Sequence, residues 1–146
     1  MKKDDEVFMR EALKEAKKAY KKNEVPIGAV VVKNNKIIGR GHNLVERSGN
    51  AAAHAEIHAI AAAAKKAGGW RLNGCSLYAT VEPCLMCFGA SMLSRVSRIV
   101  YGAAEPKFGS IRRVKKLPGQ IEIKGGVLVE ESRKLLKKFF RKLRKK

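Results

Sequence analysis

The feature of this chain that most restricts its fold is the alternation of strand-like and helix-like segments along its 146 residues. Apolar runs typical of strands lie at residues 27–32, 37–38, 76–80, 98–101 and 121–123. Segments with helical spacing or composition lie before Pro26, at residues 52–67, from Pro83 to about residue 94, and after Gly126. This order predicts an α/β fold of three layers, with helices on both faces of one sheet.

Capping and turn residues predict where these elements begin and end. Asp4 or Asp5 is expected to cap the first helix, and Pro26 to end it. The Asn34-Asn35 pair is expected to turn the chain between the first two strands, and Gly68-Gly69 to stop the alanine-rich helix. Because no linker or internal repeat interrupts this pattern, the whole chain is expected to form a single domain.

The charge of the chain points to a polyanionic partner. Its formal net charge is +19. Lys and Arg outnumber acidic residues six to one over residues 107–124, and nine to none over residues 133–146. Such clusters favour nucleic acid as the partner, because they attract the phosphate backbone. A lysine-rich surface that only maintains solubility is the alternative.

The chain lacks the features of a membrane or secreted protein. No apolar run approaches the roughly 20 residues that crossing a bilayer requires. The N-terminus has no apolar segment of the kind found in secretory signals. Cys75, Cys84 and Cys87 are too few for a disulfide scaffold, and the close pair is better interpreted as reduced thiols. A cytoplasmic protein without a membrane partner is therefore expected.

Three side chains have the character of metal ligands. Cys84 and Cys87 are three residues apart at the start of a predicted helix, so their sulfurs lie on one face. A helix N-terminus favours thiolates, which bind metal. His54, near the start of another helix, supplies a third ligand. A histidine with two thiolates suits one Zn²⁺ ion per chain and leaves the fourth position for water, as in catalytic zinc sites.

Glu56 is the predicted catalytic residue. It lies two residues after His54, beside the metal without needing to be a ligand. A carboxylate in a partly dry pocket can take a proton from water and pass it to a substrate. Zinc at the site would supply nucleophilic water at neutral pH. The reaction that fits is attack on a ring carbon bearing an amino group, followed by loss of ammonia.

Other interpretations of these motifs are weaker. An isolated Cys-x-x-Cys pair is also typical of a redox site or of half a structural zinc site, but the chain has no second pair to complete the latter. His58 follows His54 by one helical turn, as in zinc proteases, but those enzymes have the glutamate directly after the first histidine. His58 is therefore expected to pack beside the site, Cys75 to be buried, and Met86 and Met92 to lie in the core.

Residues 54–56 and 83–87 together form the H-x-E…P-C-x-x-C pattern that is typical of nucleic-acid deaminases. With the segments around them, the chain resembles the bacterial tRNA-specific adenosine deaminases of the cytidine deaminase superfamily over roughly residues 7–107, and again in its last helix. The segments that carry this resemblance include Glu24-Val-Pro-Ile-Gly-Ala, Gly41-His-Asn, Trp70-Arg-Leu, Leu77-Tyr-Ala-Thr-Val-Glu-Pro-Cys and Val100-Tyr-Gly-Ala.

The resemblance implies a cytidine-deaminase-like fold, with a mixed sheet of about five strands between two helix layers. It also implies a homodimer that converts adenosine to inosine at the wobble position of a tRNA anticodon. Asn43 corresponds to the residue that reads the flipped base, and Glu105 and Lys107 lie in the loop that grips the neighbouring nucleotides. The substrate-contacting residues that we predict are Ile27, Asn43, Ala55, Glu105 and Lys107.

The chain departs from the family pattern in this loop, where substrate identity is set. The loop has Glu105 in place of the usual aspartate, is several residues short, and continues through the basic residues Arg112 and Arg113. Single-stranded DNA or RNA is therefore an alternative to tRNA. Deamination of cytosine, in single-stranded DNA or as a free base or nucleoside, is an alternative to that of adenine, because the same zinc and glutamate serve attack on either ring. The shortened loop, the basic surface and the alanine runs at residues 51–53 and 61–64 suggest an engineered or designed member, such as a DNA adenine deaminase.

Overall fold

The computed structural model, which describes residues 2–114 and 121–145, is built around one mixed sheet. Its strands are β1 (Gly28–Lys33), β2 (Lys36–His42), β3 (Ser76–Val81), β4 (Arg98–Ala103) and β5 (Glu122–Lys124), in the order β2-β1-β3-β4-β5. β1 pairs antiparallel with both β2 and β3, whereas β3, β4 and β5 run parallel to one another. The predicted sheet of five strands is confirmed.

Helices cover both faces of this sheet. They are α1 (Lys2–Lys21), α2 (Val45–Ser48), α3 (Ala55–Ala67), α4 (Leu85–Leu93) and α5 (Val129–Arg144), with a 3₁₀ turn at Ile111–Arg113. α1 and α5 contact each other on one face of the sheet, and α3 and α4 contact each other on the other. The three-layer fold is therefore confirmed. Within the described ranges, none of these helices is long and apolar enough to cross a membrane.

The central strands are apolar throughout because both of their faces are buried. Ala29 and Val31 of β1 pack with α3 in one core cluster, whereas Val30 and Val32 pack with Met9 of α1 in the other. Successive side chains of a strand point to opposite faces, so a strand between two helix layers needs apolar residues at every position. The apolar run at residues 27–32, which predicted β1, is therefore continuous because helices cover both faces of the strand.

Turn residues act where the sequence predicts them. Asn34 and Asn35 both have positive φ values, 50° and 61°, and turn β1 into β2. Gly68, at φ 77°, ends α3, and its backbone N–H contacts carbonyl groups of the last turn. Asparagine and glycine adopt this left-handed conformation more readily than other residues.

The predicted starts of two helices are wrong, and one short helix was not predicted. α1 begins at Lys2, so neither Asp4 nor Asp5 caps it. α3 begins at Ala55 rather than at residue 52, because the Asn50 side chain accepts a hydrogen bond from the Ala52 backbone N–H and holds a turn there. The short helix α2 lies in a stretch predicted to be a loop.

Asp5 ties the first helix to the sheet instead of capping it. Its side chain is buried and accepts hydrogen bonds from the Tyr78 hydroxyl at 2.7 Å, from two nitrogens of Arg98 at 2.6 and 2.9 Å, and from the Lys124 ammonium at 2.9 Å. The Arg98 guanidinium holds the pKa of the Asp5 carboxyl well below its usual range. One carboxylate thus joins α1 to β3, β4 and β5.

We predict that Asp5→Asn lowers the free energy of unfolding at neutral pH by about 3 kcal/mol, because Arg98 and Lys124 lose a buried charged acceptor. A carboxyl whose folded pKa is depressed contributes stability that is fully present above its unfolded pKa. This stability is lost progressively as pH falls from the unfolded pKa through the folded pKa. The gap between wild type and variant should therefore shrink below a pH of about 4. Urea unfolding at several pH values measures it, and a gap independent of pH would contradict the assignment.

Candidate metal centre and active site

The candidate site lies at the edge of the sheet where the parallel strands β3 and β4 end. The segments that follow these strands, together with the N-termini of α3 and α4, surround a cavity of about 900 Å³. Polar groups that follow neighbouring parallel strands meet at the same edge of a sheet, which is where α/β proteins commonly bind ligands. The fold therefore brings segments about thirty residues apart in the chain to one place.

Three predicted ligands meet at this edge. His54 precedes the first residue of α3 in an extended conformation, and Cys84 does the same for α4, whose first turn carries Cys87. His54 Nδ1 lies 3.6 Å from the Sγ atom of each cysteine, and all three ligand atoms lie within 4.8 Å of one another. This arrangement could hold a metal ion.

The geometry and chemistry of these three donors fit zinc. Zinc binds sulfur at about 2.3 Å and imidazole nitrogen at about 2.0–2.1 Å, so a tetrahedral ion would separate such N and S atoms by about 3.6 Å. Hydrogen bonds from Cys87 and His54 lower the pKa of Cys84 to about 3. The Cys84 thiolate and burial together raise the pKa of Cys87. Two thiolates so close together require a compensating cation, which a divalent metal supplies.

Glu56 lies beside the three ligands without joining them. It is in the first turn of α3, only 4% exposed, and faces both His54 and Cys87. Burial raises its pKa to about 7. Among the described residues, the group that could hold a metal consists of His54, Cys84 and Cys87 alone. The carboxyl is therefore placed to exchange protons near neutral pH.

The five predicted substrate-contacting residues line the same cavity. Asn43 is largely buried, and its backbone N–H donates to the carbonyl of Ile27 at 3.1 Å, which holds these two residues side by side. Ala55, the first residue of α3, lies between His54 and Glu56 in the chain. Glu105 and Lys107 follow β4 at the mouth of the cavity. The cavity therefore brings together residues from both halves of the chain.

Two buried carboxylates of the cavity wall were not identified from the sequence. Glu24, fully buried, accepts hydrogen bonds from the backbone N–H groups of Glu46 and Arg47 at 3.0 and 2.7 Å, and so fixes the start of α2. Glu82 accepts two backbone hydrogen bonds on the opposite side of the cavity. For Glu82, the available signal was an acidic residue between an apolar strand and Pro83.

Several other side chains differ from expectation or complete the site. Met86, expected in the core, is 40% exposed and lines the cavity, because it lies on the outer side of the first turn of α4. Met92 is half-buried. Phe140 of α5 also lines the cavity. Cys75 is buried, and His58 is half-buried with its Nε2 atom lacking a hydrogen-bond partner in the described part of the chain.

The basic loop beyond Lys107 is only partly described. The guanidinium groups of Arg112 and Arg113 are exposed and donate hydrogen bonds to the carbonyl groups of Pro106 and Gly109, and Arg113 lines the cavity. Lys115 and Lys116, which belong to the same predicted basic segment, lie outside the described residues. Of the basic residues in this loop, Lys107 and Arg113 line the cavity.

Sequence comparisons place this architecture among deaminases. The family model described as MafB19-like deaminase matches residues 3–144. A Bacillus subtilis (strain 168) protein named tRNA-specific adenosine deaminase is 51% identical over 148 residues, covering 97% of this chain and 92% of its own. A protein of the same name from Aquifex aeolicus (strain VF5) is 40% identical over 144 residues, covering 95% of each.

Solved structures agree with this result. One from a study of A-to-I editing by tRNA:A34 deaminases at the wobble position of transfer RNA aligns with a TM-score of 0.84 and 37% identity, covering 89% of this chain and 99% of that chain. The guanine deaminase of Nitrosomonas europaea aligns with a TM-score of 0.80 and 26% identity, covering 92% of this chain and 83% of that chain. These alignments confirm the predicted resemblance and its fold.

We predict that Cys87→Ala removes most of the bound metal, because two ligands cannot hold an ion as three do. Cys75→Ala is the matched control, since Cys75 is a buried thiol outside the group of three. Metal per chain, measured by mass spectrometry of the purified proteins, should fall only in Cys87→Ala. Full metal content in that variant would show that the ligand set is wrong.

Proposed function

The chain belongs to the family of tRNA-specific adenosine deaminases, and from this premise we propose that it hydrolytically deaminates adenine to hypoxanthine in a flipped-out nucleotide. The observation that carries the proposal is the position of Glu56 beside His54, Cys84 and Cys87 in one cavity. Zinc is the proposed metal, one ion per chain, because the donor set and its spacing suit it. When bound there, zinc lowers the pKa of water and supplies a nucleophile at neutral pH.

Glu56 is the proposed carrier of the proton. Its carboxylate accepts one proton from the attacking water and delivers it to the ring nitrogen, then takes the second proton from the added oxygen and delivers it to the departing amino group. A C–O bond forms, the C–N bond breaks, and ammonia leaves with the second proton, while the first stays on the ring nitrogen. A pKa near 7, produced by burial, suits a group that must both accept and donate at neutral pH.

The remaining walls of the cavity orient the base. Ile27, Asn43 and Ala55 are proposed to contact the target base, with the Asn43 amide able both to donate and to accept hydrogen bonds. Glu105 and Lys107 are proposed to contact the flanking nucleotides from the cavity mouth. Cytosine is the alternative target, because the same water can attack either ring with the same residue as proton carrier.

We predict that the wild-type protein forms inosine from adenosine in an anticodon stem-loop RNA, and that Glu56→Gln lowers this turnover by about 10²–10⁴-fold. The amide cannot carry the proton but nearly matches the carboxylate in shape. Matched RNA and single-stranded DNA oligonucleotides are incubated with each protein, and their nucleosides are identified by mass spectrometry.

Binding and metal content serve as controls in this experiment. Glu56→Gln should retain its zinc and its affinity for RNA, since the side chain is outside the ligand group. Uracil as the product would select the cytosine alternative, and product from DNA alone would select DNA as the substrate. Near-normal turnover in Glu56→Gln would show that another group moves the proton.

The basic surface is the proposed path for the nucleic-acid strand, either a tRNA anticodon loop or single-stranded DNA or RNA. α5, whose Phe140 lines the cavity, exposes a series of positive side chains, and Arg112 precedes the cavity-lining Arg113. The exposed Phe140 ring lies between α5 and the cavity, where it can stack on a base next to the target. Positive charge with an aromatic ring at the mouth suits a single strand.

We predict that changing both Arg112 and Arg113 to Gln flattens the dependence of log affinity on log salt by about one unit, because each contacted phosphate of a single strand contributes about −0.7. The matched control changes Lys33 and Lys36, two exposed charges at the other end of the sheet, and should leave the slope unchanged. Fluorescence anisotropy with a labelled oligonucleotide measures both. Equal slopes in all three proteins would indicate that Arg112 and Arg113 do not contact phosphate, and would favour the interpretation that their charge only maintains solubility.

A homodimer is also proposed, in line with the family resemblance. Large apolar side chains remain exposed on and near α4, among them Trp70 (51%), Leu85 (58%) and Leu93 (67%). Exposed apolar patches of this kind mark interaction surfaces. A cytoplasmic location is proposed as well, because Cys84 and Cys87 must stay reduced to bind metal.

A further inference from the structure

Glu82 connects both ends of the loop at the cavity mouth. It is the residue before the Pro83-Cys84 turn, and it is 8% exposed. Its Oε1 atom accepts a hydrogen bond from the backbone N–H of Glu105, and its Oε2 atom accepts one from the backbone N–H of Ile111, each at 3.0 Å. One side chain therefore holds the start and the end of residues 105–111, here named the mouth loop.

The mouth loop is also joined to the segment that carries the metal ligands. Ser110 donates from its backbone N–H and from its hydroxyl to the carbonyl of Pro83, at 3.1 and 2.7 Å. Gly109 forms an isolated antiparallel bridge with Cys84. A Cβ atom at Gly109 would lie 2.5 Å from Glu82 Oε2, so the loop packs directly on the carboxylate. These contacts set the distance between loop and metal centre.

The exposed side of the mouth loop presents Lys107 and Phe108 at the mouth of the cavity. Glu105 Oε1 accepts from the backbone N–H groups of Lys107 and Phe108 at 2.8 and 3.2 Å, which shapes the tip of the loop. Lys107 and Phe108 are exposed, with the ammonium 5.2 Å from the ring centre. The buried side of the loop is thus held by Glu82 while its other side is free for nucleotides.

The bonding of Glu82 depends on its having two acceptor oxygens. Within the described ranges, no Lys, Arg or His forms an ion pair with the Glu82 carboxylate. It is satisfied there by hydrogen bonds from the two backbone N–H groups. Hydrogen bonds to a charged acceptor are roughly twice as strong as neutral ones. Glutamine has the same shape but only one acceptor oxygen, and its NH₂ group would face one of the two backbone donors. Replacement by glutamine should therefore release one end of the loop.

We infer that Glu82 is a positioning residue for the deaminase reaction: its buried carboxylate holds the mouth loop against the metal-bearing turn before substrate binds. The loop then contacts the nucleotides next to the target base without first having to become ordered, which lowers the cost of binding. This inference rests on the proposed function, because it assigns the loop to substrate nucleotides. The four residues of the reaction centre are not held by Glu82 directly, so its effect falls on binding more than on chemistry.

The test compares wild type, Glu82→Gln and the exposed-charge control Glu6→Gln in two measurements. In hydrogen exchange, the amides of Glu105 and Ile111 should be protected in wild type, and at least one should exchange about tenfold faster in Glu82→Gln. With the stem-loop RNA, KM should rise by about tenfold while kcat stays within about twofold, since one charge-assisted bond is lost. Zinc content should be unchanged, and Glu6→Gln should match wild type throughout.

The outcomes separate this inference from the proposed function. Wild-type exchange and KM in Glu82→Gln would overturn the inference, and so would a fall in kcat accompanied by loss of zinc, which indicates a purely structural role. If Glu82→Gln does not fold, Glu82→Asp decides, because the shorter side chain keeps the charge but cannot reach both backbone donors, so faster exchange of at least one of the two amides and a higher KM are expected. A wild-type protein that deaminates neither RNA nor single-stranded DNA would refute the proposed function, while the exchange measurement would still test how Glu82 holds the loop.

Discussion

The close approach of α3 to β2 is the packing constraint on which the site depends. A Cβ atom at Gly41 would lie 2.3 Å from the carbonyl oxygen of Ala55, and one at Gly39 would lie 2.3 Å from that of Ala59. The helix therefore rests on the strand backbone, with alanine residues and the Cβ atom of His58 against the two glycines. This contact sets the height of the first turn of α3 above the sheet, and with it the positions of His54 and Glu56. A larger residue at either glycine would displace His54 and Glu56 together.

The three buried carboxylates of the cavity have different surroundings and therefore different functions. Glu24 and Glu82 each accept two backbone hydrogen bonds, so they act as fixed anchors for α2 and for the mouth loop. Glu56 lies among thiol and imidazole groups, and burial raises its pKa towards neutrality. The backbone N–H that reaches the Glu56 carboxyl is its own, so this side chain anchors no distant segment and can change its protonation state during a reaction. The cavity thus combines rigid walls with one titratable group.

Short sequence patterns correctly predicted the structural features that depend on residues close together in the chain. Apolar runs identified the strands, Asn34 and Gly68 marked a turn and a helix end, and the spacing of Cys84 and Cys87 identified two ligand candidates that the fold places next to His54. The features that were missed depend on distant partners. Asp5 resembled a helix cap because Arg98 and Lys124, which bind it, are about a hundred residues away in the chain.

The same reason explains the missed anchors of the cavity. No feature of the sequence around Glu82 shows that its carboxylate meets backbone N–H groups more than twenty residues later. The start of α3 was placed too early because alanine favours helix strongly, whereas the Asn50 side chain holds a competing turn. Prediction from sequence therefore identified the residues that the fold brings together at the candidate site, but not the contacts that hold their surroundings.

The central claim is that water replaces the amino group of a nucleobase at this site. Reaction with the stem-loop RNA in water labelled with the heavy oxygen isotope tests it directly, followed by mass spectrometry of the released nucleosides. The account predicts inosine that is heavier by the difference between the two oxygen isotopes, with one labelled atom in each product molecule. Inosine without the label, or unchanged adenosine in the presence of bound zinc, would contradict it.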